Sequence, residues 1–491
     1  MVVLGGTPAG IAAAVTAARG GARVCLIEER NHLGGMMASG LGNTDAGNPE
    51  LIGGLAREIF QSIAAYYKEK YGPESKQFKD CREGLCFEPH VAGEIFDRLV
   101  QKERIVSFRG FVLKDIDMER NWITKLFILN VIGGGKKTIG GRIFIDATYT
   151  GDLFSIASAP YILGREGREA FDESLAGHIF QDPETRQPLP GSTGREDSLI
   201  QAYNYRLCLT DSVENMAPLP EPERYDPEKY KILYDYILAR GKVSFRDIMI
   251  FSPLPNRKYD VNNNGYCWMS TDLIGGSRYY PEASSEERAE IEKTHMEHIL
   301  GLLKFLRTDP GLPQSLRDEF NRFNPARDEF ADNRHLPFQI YVREARRLRA
   351  SYTFTQHDAT TDTLKKDAVG MGSYPLDSHV TGPWNFSCPW AEGFFIMPCR
   401  PYQIPHSIMI PTWIRNLFVP ACVSASHVGY GTLRMEPVYM IMGQAAGTAA
   451  TLCLKYKCEA VAIPIPELQV ILRKNGAILS RQGAKPWIIS P

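Results

Sequence analysis

The sequence predicts an α/β fold, and three observations in its first 28 residues predict it. Val2-Val3-Leu4 is a short apolar run that stops at Gly5-Gly6-Thr7-Pro8-Ala9-Gly10. Ile11 to Arg19 is a run rich in small residues that ends at Gly20-Gly21. Arg23 to Glu28 is a second apolar run that closes on an acid. The order is strand, glycine turn, helix, glycine stop, strand, carboxylate, which is the βαβ pattern of dinucleotide-binding units.

Each part of that unit has a mechanical reason. Gly5 permits the tight turn off the strand. Gly10 lets the helix lie close to the sheet. The first helical turn leaves backbone N–H groups free to hold a pyrophosphate. Glu28, 18 residues after Gly10, is placed to accept hydrogen bonds from a ribose. Thr7 departs from the glycine usual at the middle position; it adds a Cβ there, and its hydroxyl can donate to a phosphate.

The remaining elements follow in chain order. Glu88-Pro89-His90 introduces a helical pattern from Val91 to Lys102, with Ile95, Phe96 and Leu99 on one side. Residues 105–132 alternate as strands. The glycine-rich stretch Val131 to Lys137 is expected to be a hairpin turn, since no small-residue helix follows it. It is not a phosphate-binding P-loop, because Lys137 follows Lys136 where Ser or Thr is required. The next strand delivers Phe144-Ile-Asp-Ala-Thr148. Residues 153–390 read as mixed: helical over 285–307, loop-rich over 180–195 and 253–266, and a basic helix near 340–350. In that helix Arg343 and Arg346 share one face, expected to be solvated, with Arg347 and Arg349 turned away. Asp377-Ser-His379 reads as an exposed loop. Leu417 to Ala421 reads as a strand and Glu436-Pro437 as a helix start, with Pro suited to the first turn. Val438 to Leu454 is apolar with a G-x-x-x-G spacing, too short to span a bilayer and interrupted by Gln444. It is expected to be a buried helix against the sheet. Domain bounds follow as 1–152 and 391–455 for one nucleotide-binding domain, 153–390 for an insertion, and 456–491 for a tail packed on its surface.

Composition limits the function. The chain has 491 residues, enough for two or three domains, with 44% hydrophobic residues and a net charge of −1. That balance supplies no field for gathering nucleic acid or an anionic membrane. None of the ten cysteines forms C-x-x-C, and no zinc or iron–sulfur spacing is present, so no metal is expected. A reducing, cytoplasmic location is expected, and no apolar leader stands before the first strand.

The stretch after Glu28 narrows the cofactor. Leu33-Gly34-Gly35-Met36 runs directly into Ser39-Gly-Leu-Gly-Asn-Thr-Asp45. Phe144-Ile-Asp-Ala-Thr148 is followed by Gly151-Asp152, and Asn416 to Ala421 leads through Ser426-His427 to Gly443-Gln-Ala-Ala-Gly447. On these stretches, which span the chain, the sequence resembles FAD-dependent oxidoreductases related to fumarate reductase flavoproteins, with a glutathione-reductase-type FAD fold. The resemblance implies a Rossmann-like FAD-binding domain carrying an inserted mixed α+β substrate or cap domain. It implies noncovalent FAD and hydride transfer at N5 with a small polar substrate, a carbohydrate-like one included. It implies cofactor contacts at Gly5, Gly6, Thr7, Pro8, Ala9 and Gly10; at Glu28 and Glu29; at Gly34, Gly35 and Met36; at Asp146, Ala147, Thr148, Gly151 and Asp152; and at Glu436 and Pro437.

Candidate chemistry is read against the ordinary structural role of each residue. Glu436 is not a preferred capping type, so the helix N–H groups can face the flavin edge that gains negative charge on reduction. The alternative is a buried helix capped by solvent. His427 can transfer a proton near neutral pH, and Arg434 can hold a carboxylate, a phosphate or the flavin. The alternative is that both tie down a loop. Asp377 and His379 share a face if extended and can form a proton relay. Trp384, Phe386, Trp390, Phe394 and Phe395 can stack on a sugar or fill a core. Alternative functions are a flavin monooxygenase, an RNA-modifying flavoprotein and a non-catalytic FAD-binding protein. The partners expected are a small-molecule substrate and an electron acceptor or donor of unassigned chemistry.

Overall fold

The computed structural model describes residues 1–131, 133–382 and 391–483. A five-stranded parallel sheet organises it, in the spatial order Leu417–Phe418, Phe144–Asp146, Val2–Leu4, Cys25–Glu28, Val106–Arg109. The first strand lies at the centre because it pairs with both Cys25–Glu28 and Phe144–Asp146. Its short, fully buried Val-Val-Leu sequence suits a parallel strand covered on both faces.

Helix Pro8–Arg19 leaves the first strand through a turn that only glycine can make. Gly5 has φ +100°, and a Cβ there would lie 2.6 Å from the Ala147 carbonyl carbon. A Cβ on Gly10 would lie 1.9 Å from the Gly5 carbonyl oxygen, so the helix sits against the strand end as the sequence predicts. On its other side this helix packs against helix Glu436–Tyr456. Gly443 and Gly447 make that approach possible: a Cβ on either would meet the backbone oxygen of Ala9 or Ala13 at 2.1 or 2.4 Å. The G-x-x-x-G spacing therefore joins two helices rather than a helix and the sheet. Among the described residues no helix is long and apolar enough to cross a membrane.

Phe111–Glu119, Trp122–Asn130 and Lys136–Gly140 form an antiparallel meander, with the glycine-rich stretch at its second turn. A separate antiparallel sheet joins Met249–Leu254, Lys258–Asn263, Leu207–Thr210 and Asn324–Pro325. Residues 253–266, expected as loop, thus contain most of a β-hairpin. Helix Ser285–Thr308 begins with a capping box between Ser284 and Glu287. Helix Ile465–Lys474 in the C-terminal tail presents Leu468 and Leu472 to the interior.

Two expectations are corrected. Residues 341–346 have no regular structure and lead into strand Arg347–Leu348, so there is no helix at 340–350. Arg343, Arg346 and Arg347 are buried there, while Arg349 is exposed. The extended chain is held by ion pairs to distant segments, such as Arg346 with Asp152 and Glu282 and Arg347 with Glu166. Nor is Asp377-Ser-His379 an exposed loop: Leu376–Ser378 is a buried strand paired with Phe395–Met397. Phe395 is packed in the core, whereas Trp384, Phe386 and Trp390 lie outside the described residues.

Candidate functional site: a dinucleotide cavity and the buried groups beyond it

A cavity of about 270 Å³ opens at the carboxyl ends of the central parallel strands. Its lining includes Gly5, Thr7, Glu28, Glu29, Thr148, Tyr149 and Asp152. Ligands gather beyond such strand ends in open α/β sheets.

The turn residues shape its floor. Thr7 caps the helix: its Oγ1 accepts from Gly10 N–H at 3.2 Å and donates to the Ala147 carbonyl at 2.8 Å. The hydroxyl expected to reach a phosphate is thus committed to backbone, and the residue replaces the usual glycine by acting as an N-cap. Pro8 has no N–H to satisfy. Glu28 closes the second strand against the same turn. Its two carboxylate oxygens accept from Gly6 N–H at 2.5 Å and Arg30 N–H at 2.9 Å. Each oxygen keeps a further lone pair for a ligand hydroxyl. Burial and neighbouring Glu29 push the Glu28 carboxyl up to about 7, against the pull of both N–H groups and Arg30.

Opposite, the chain leaving strand Phe144–Asp146 turns sharply. Asp146 Oδ1 accepts from Thr148 N–H and Oγ1, and its Oδ2 accepts from the N–H groups of Leu153 and Phe154. Asp146 is fully buried, and neither it nor Ala147 lines the cavity. Asp146 thereby holds Thr148 and, through Leu153 and Phe154, the start of the helix that carries Asp152. Gly151, with φ +70°, starts helix Asp152–Ile156. Asp152 pairs with Arg288 at 2.8 Å and Arg346 at 3.1 Å. Burial alone would raise its carboxyl, but the two guanidinium groups outweigh it and hold it at about 2. Arg288 and Arg346 line the cavity too, and no local motif marks them.

Gly34 and Gly35, with φ of +101° and +48°, carry the chain past the first turn. Gly34 N–H donates to the Gly6 carbonyl at 2.7 Å. Gly35 lies against Tyr149, and Met36 N–H donates to the Tyr149 hydroxyl at 3.1 Å. Tyr149 in turn donates to Glu436 Oε1 at 2.6 Å. Glu436 and Pro437 start helix Glu436–Tyr456, and no side chain caps that start. Tyr149 thus joins the cavity wall to the helix, a link the sequence does not reveal.

The histidines and arginine fall in a buried polar cluster. His427 begins helix His427–Leu433 rather than sitting on a loop. Its Nδ1 lies 2.9 Å from both Glu344 carboxylate oxygens and its Nε2 3.2 Å from Ser378 Oγ, so both ring nitrogens are engaged. Arg434 pairs with Asp377 at 2.8 Å and reaches the Tyr341 hydroxyl at 3.3 Å, while its buried Nε has no partner among the described residues. The Asp377–His379 relay is not formed, because Asp377 is taken by Arg434. His379 Nδ1 instead lies 2.7 Å from Asp272 Oδ2, and Arg343 Nη2 lies 2.9 Å from the other oxygen of Asp272. Among the described residues His379 Nε2 has no hydrogen-bond partner. Burial and Arg343 lower the His379 pKa against the pull of Asp272.

Glu88, His90 and Glu329 approach closely enough to hold a metal ion. The Lys258 ammonium stands among them, 2.7 Å from both Glu88 Oε1 and Glu329 Oε1, and supplies the cation.

The glycine turn, the carboxylate of Glu28 and the cavity between them fit a dinucleotide. The family model described as FAD dependent oxidoreductase matches residues 1–472. The chain belongs to the FAD-dependent oxidoreductase family. As an FAD oxidoreductase it takes FAD as cofactor. No curated relative matches the chain. Among solved structures, it is similar to a glycerol-3-phosphate dehydrogenase from Bacillus halodurans complexed with FAD. The identity is 13%, over 38% of this chain and 43% of that one, with a TM-score of 0.25. It is also similar to CabE, an aromatic hydroxylase from angucycline biosynthesis, at 11% identity over 53% and 42% of the two chains, TM-score 0.29. The match spans less than half of each of these structures.

Proposed function

We propose that this FAD oxidoreductase oxidises an alcohol carbon of a small polar substrate by hydride transfer, with His379 as the base. The observation that carries this reading is the His379–Asp272 pair, with an Nε2 that has no hydrogen-bond partner among the described residues. A neutral imidazole that donates Nδ1–H to a carboxylate presents its Nε2 lone pair outward, the arrangement a general base needs. FAD, when bound, supplies the two-electron acceptor. As the carbon–hydrogen pair leaves as hydride, the hydroxyl proton passes to His379 Nε2 and the carbon becomes a carbonyl. Asp272 holds the ring and stabilises the imidazolium that forms.

We take residues 1–152 and 391–455 as the glutathione-reductase-type FAD-binding part and 153–390 as the substrate-side insertion. Support comes from the parallel sheet, whose strands all lie outside 153–390. The Arg434–Asp377 pair ties the two parts together beside His379.

The test is anaerobic mixing with a panel of sugars, polyols and hydroxy acids, followed by bleaching of the flavin. At least one class should bleach it. His379→Asn should stay yellow and be reduced slower by about 10²–10⁴-fold, the usual contribution of a positioned base. The reading is wrong if no compound reduces the flavin, or if the variant is reduced at the wild-type rate.

A further inference from the structure

We infer that Cys453 and Cys458 form a reversible thiol–disulfide site at the end of helix Glu436–Tyr456. Hydrogen peroxide closes it, and a dithiol reopens it.

Backbone geometry carries the inference. Lys457 stops the helix in the left-handed region, at φ +52°. Its N–H donates to the Cys453 carbonyl, and the N–H of Cys458 donates to the same oxygen at 3.3 Å. At a helix stop of this kind, the residue two places past the end folds back onto the residue three places before it, and their side chains meet. Here both residues are cysteines, and both are free thiols. The bond between their own backbones caps the separation of their α-carbons at about 7 Å. Disulfides usually bridge about 4.4–6.8 Å. The Cys453 sulfur points toward its partner's side of the turn: it lies 3.7 Å from the carbonyl oxygen of Glu459, the residue after Cys458. Burial first, and then the charge and thiol of neighbouring Cys458, push the Cys453 thiol up.

A second pair shows what this one adds. Cys86 N–H donates to the Cys81 carbonyl at 3.0 Å, with the same spacing in the chain. Both of those residues are buried. Each thiol there donates to an oxygen of its own, Cys81 to the Phe78 carbonyl at 3.0 Å and Cys86 to Asn43 Oδ1 at 3.2 Å. That pair gives an oxidant no entry. At the helix end Cys453 is buried but Cys458 is only half-buried, so Cys458 meets solvent and Cys453 stands behind it.

This order assigns the roles. Cys458, as thiolate, attacks one peroxide oxygen. An S–O bond forms, the O–O bond breaks, and hydroxide leaves and takes up the thiol proton as water. The Cys453 sulfur then attacks the sulfenic sulfur of Cys458. The S–S bond forms, the S–O bond breaks, and a second water carries off the Cys453 proton. The two thiols give up two electrons, and one peroxide becomes two waters. Dithiothreitol reverses the bond by exchange. Closed, the bond fixes the turn from which the chain leaves toward helix Ile465–Lys474.

The experiment treats the purified full chain with hydrogen peroxide under native conditions. Remaining thiols are then capped with N-ethylmaleimide in denaturant, and the chain is cut with trypsin. Lys455 and Lys457 lie between the two cysteines, so their peptides separate unless a disulfide holds them. Wild type should yield the two peptides joined, lighter by two hydrogens than their sum. Dithiothreitol before capping should return both as capped thiols. Cys453→Ser should leave Cys458 as a sulfenic acid that dimedone labels, and Cys458→Ser should leave Cys453 a capped thiol. Cys81 and Cys86 should be capped and unjoined throughout. The inference is overturned if both thiols of the wild type survive peroxide, or if Cys458 is oxidised to sulfinic acid without joining Cys453. Equal joining of Cys81 to Cys86 would also overturn it, because exposure would then not select the site.

Discussion

His427 and His379 look alike in the sequence, each beside a serine, and the structure gives them opposite surroundings. Glu344 feels burial first, which would raise it, yet His427 and Arg347 outweigh that and hold it at about 2. His427 is thus one partner of a buried hydrogen bond to a carboxylate. Leaving a buried polar group without its partner typically costs about 1–3 kcal/mol. His427→Gln should therefore lower the thermal midpoint while the protein stays yellow and its flavin is reduced at a near-normal rate. A variant of unchanged stability but slow reduction would return the proton-carrier role to His427. Such roles were not legible in the sequence. The partner of His379 is 107 residues away, and the nearer carboxylate, Asp377, is claimed by Arg434. The position of Glu28 beside the glycine turn was legible, because it depends on a spacing within one supersecondary unit.

At the scale of elements, local rules worked where local physics decides. The opening strand, turn and helix, the helix expected over 285–307 and the meander around the glycine-rich turn all follow from short-range patterns. The basic stretch did not. An i, i+3 arginine spacing imitates a helix face, but here carboxylates on three separate segments hold the chain extended. The helix–helix contact through Gly443 lies between these cases: the spacing is visible, its partner is not. Gly443→Ala tests that contact. Helix propensity alone favours alanine by about 1 kcal/mol. The added Cβ would stand 2.1 Å from the Ala9 carbonyl oxygen, a backbone atom that can move only with its helix. Overpacking of this kind costs about 1–3 kcal/mol. The denaturation midpoint should fall, and FAD should bind more weakly because Ala9 lies in the first turn of the helix that follows the glycine turn. A rise in the midpoint would show that the two helices part easily.

At the scale of the molecule, burial of acids sets the response to pH. Glu436 is raised from 4.5 to about 8, and Glu28 and Glu173 to about 7. Between pH 4.5 and those values the native state holds protons that the unfolded chain has released. Stability contributed by these groups is therefore lost as pH rises. His295 and His406 act in the other direction: burial lowers each from 6.5 to about 4, so their contribution is lost as pH falls below 6.5. Between pH 4.5 and 6.5 the three acids outweigh the two histidines by one proton, so the FAD-free protein should be most stable near pH 4.5 and lose stability towards pH 8, most steeply just above pH 6.5. Each proton in the balance contributes about 1.4 kcal/mol per pH unit. Glu436→Gln should flatten that alkaline slope; equilibrium unfolding at several pH values measures it, and an unchanged slope would place the proton elsewhere.

The edge strand Leu417–Phe418 also has a consequence in time. A ribosome adds about 5–20 residues per second. On that estimate Val2–Leu4 emerges roughly 20–80 seconds before the strand that completes its sheet. Helix Glu436–Tyr456, which covers helix Pro8–Arg19, arrives later still. The nascent nucleotide-binding unit must wait with apolar faces uncovered. Cofactor capture is then expected to follow synthesis rather than accompany it, and chaperones that shield exposed strands have their longest opportunity at the very start of this chain.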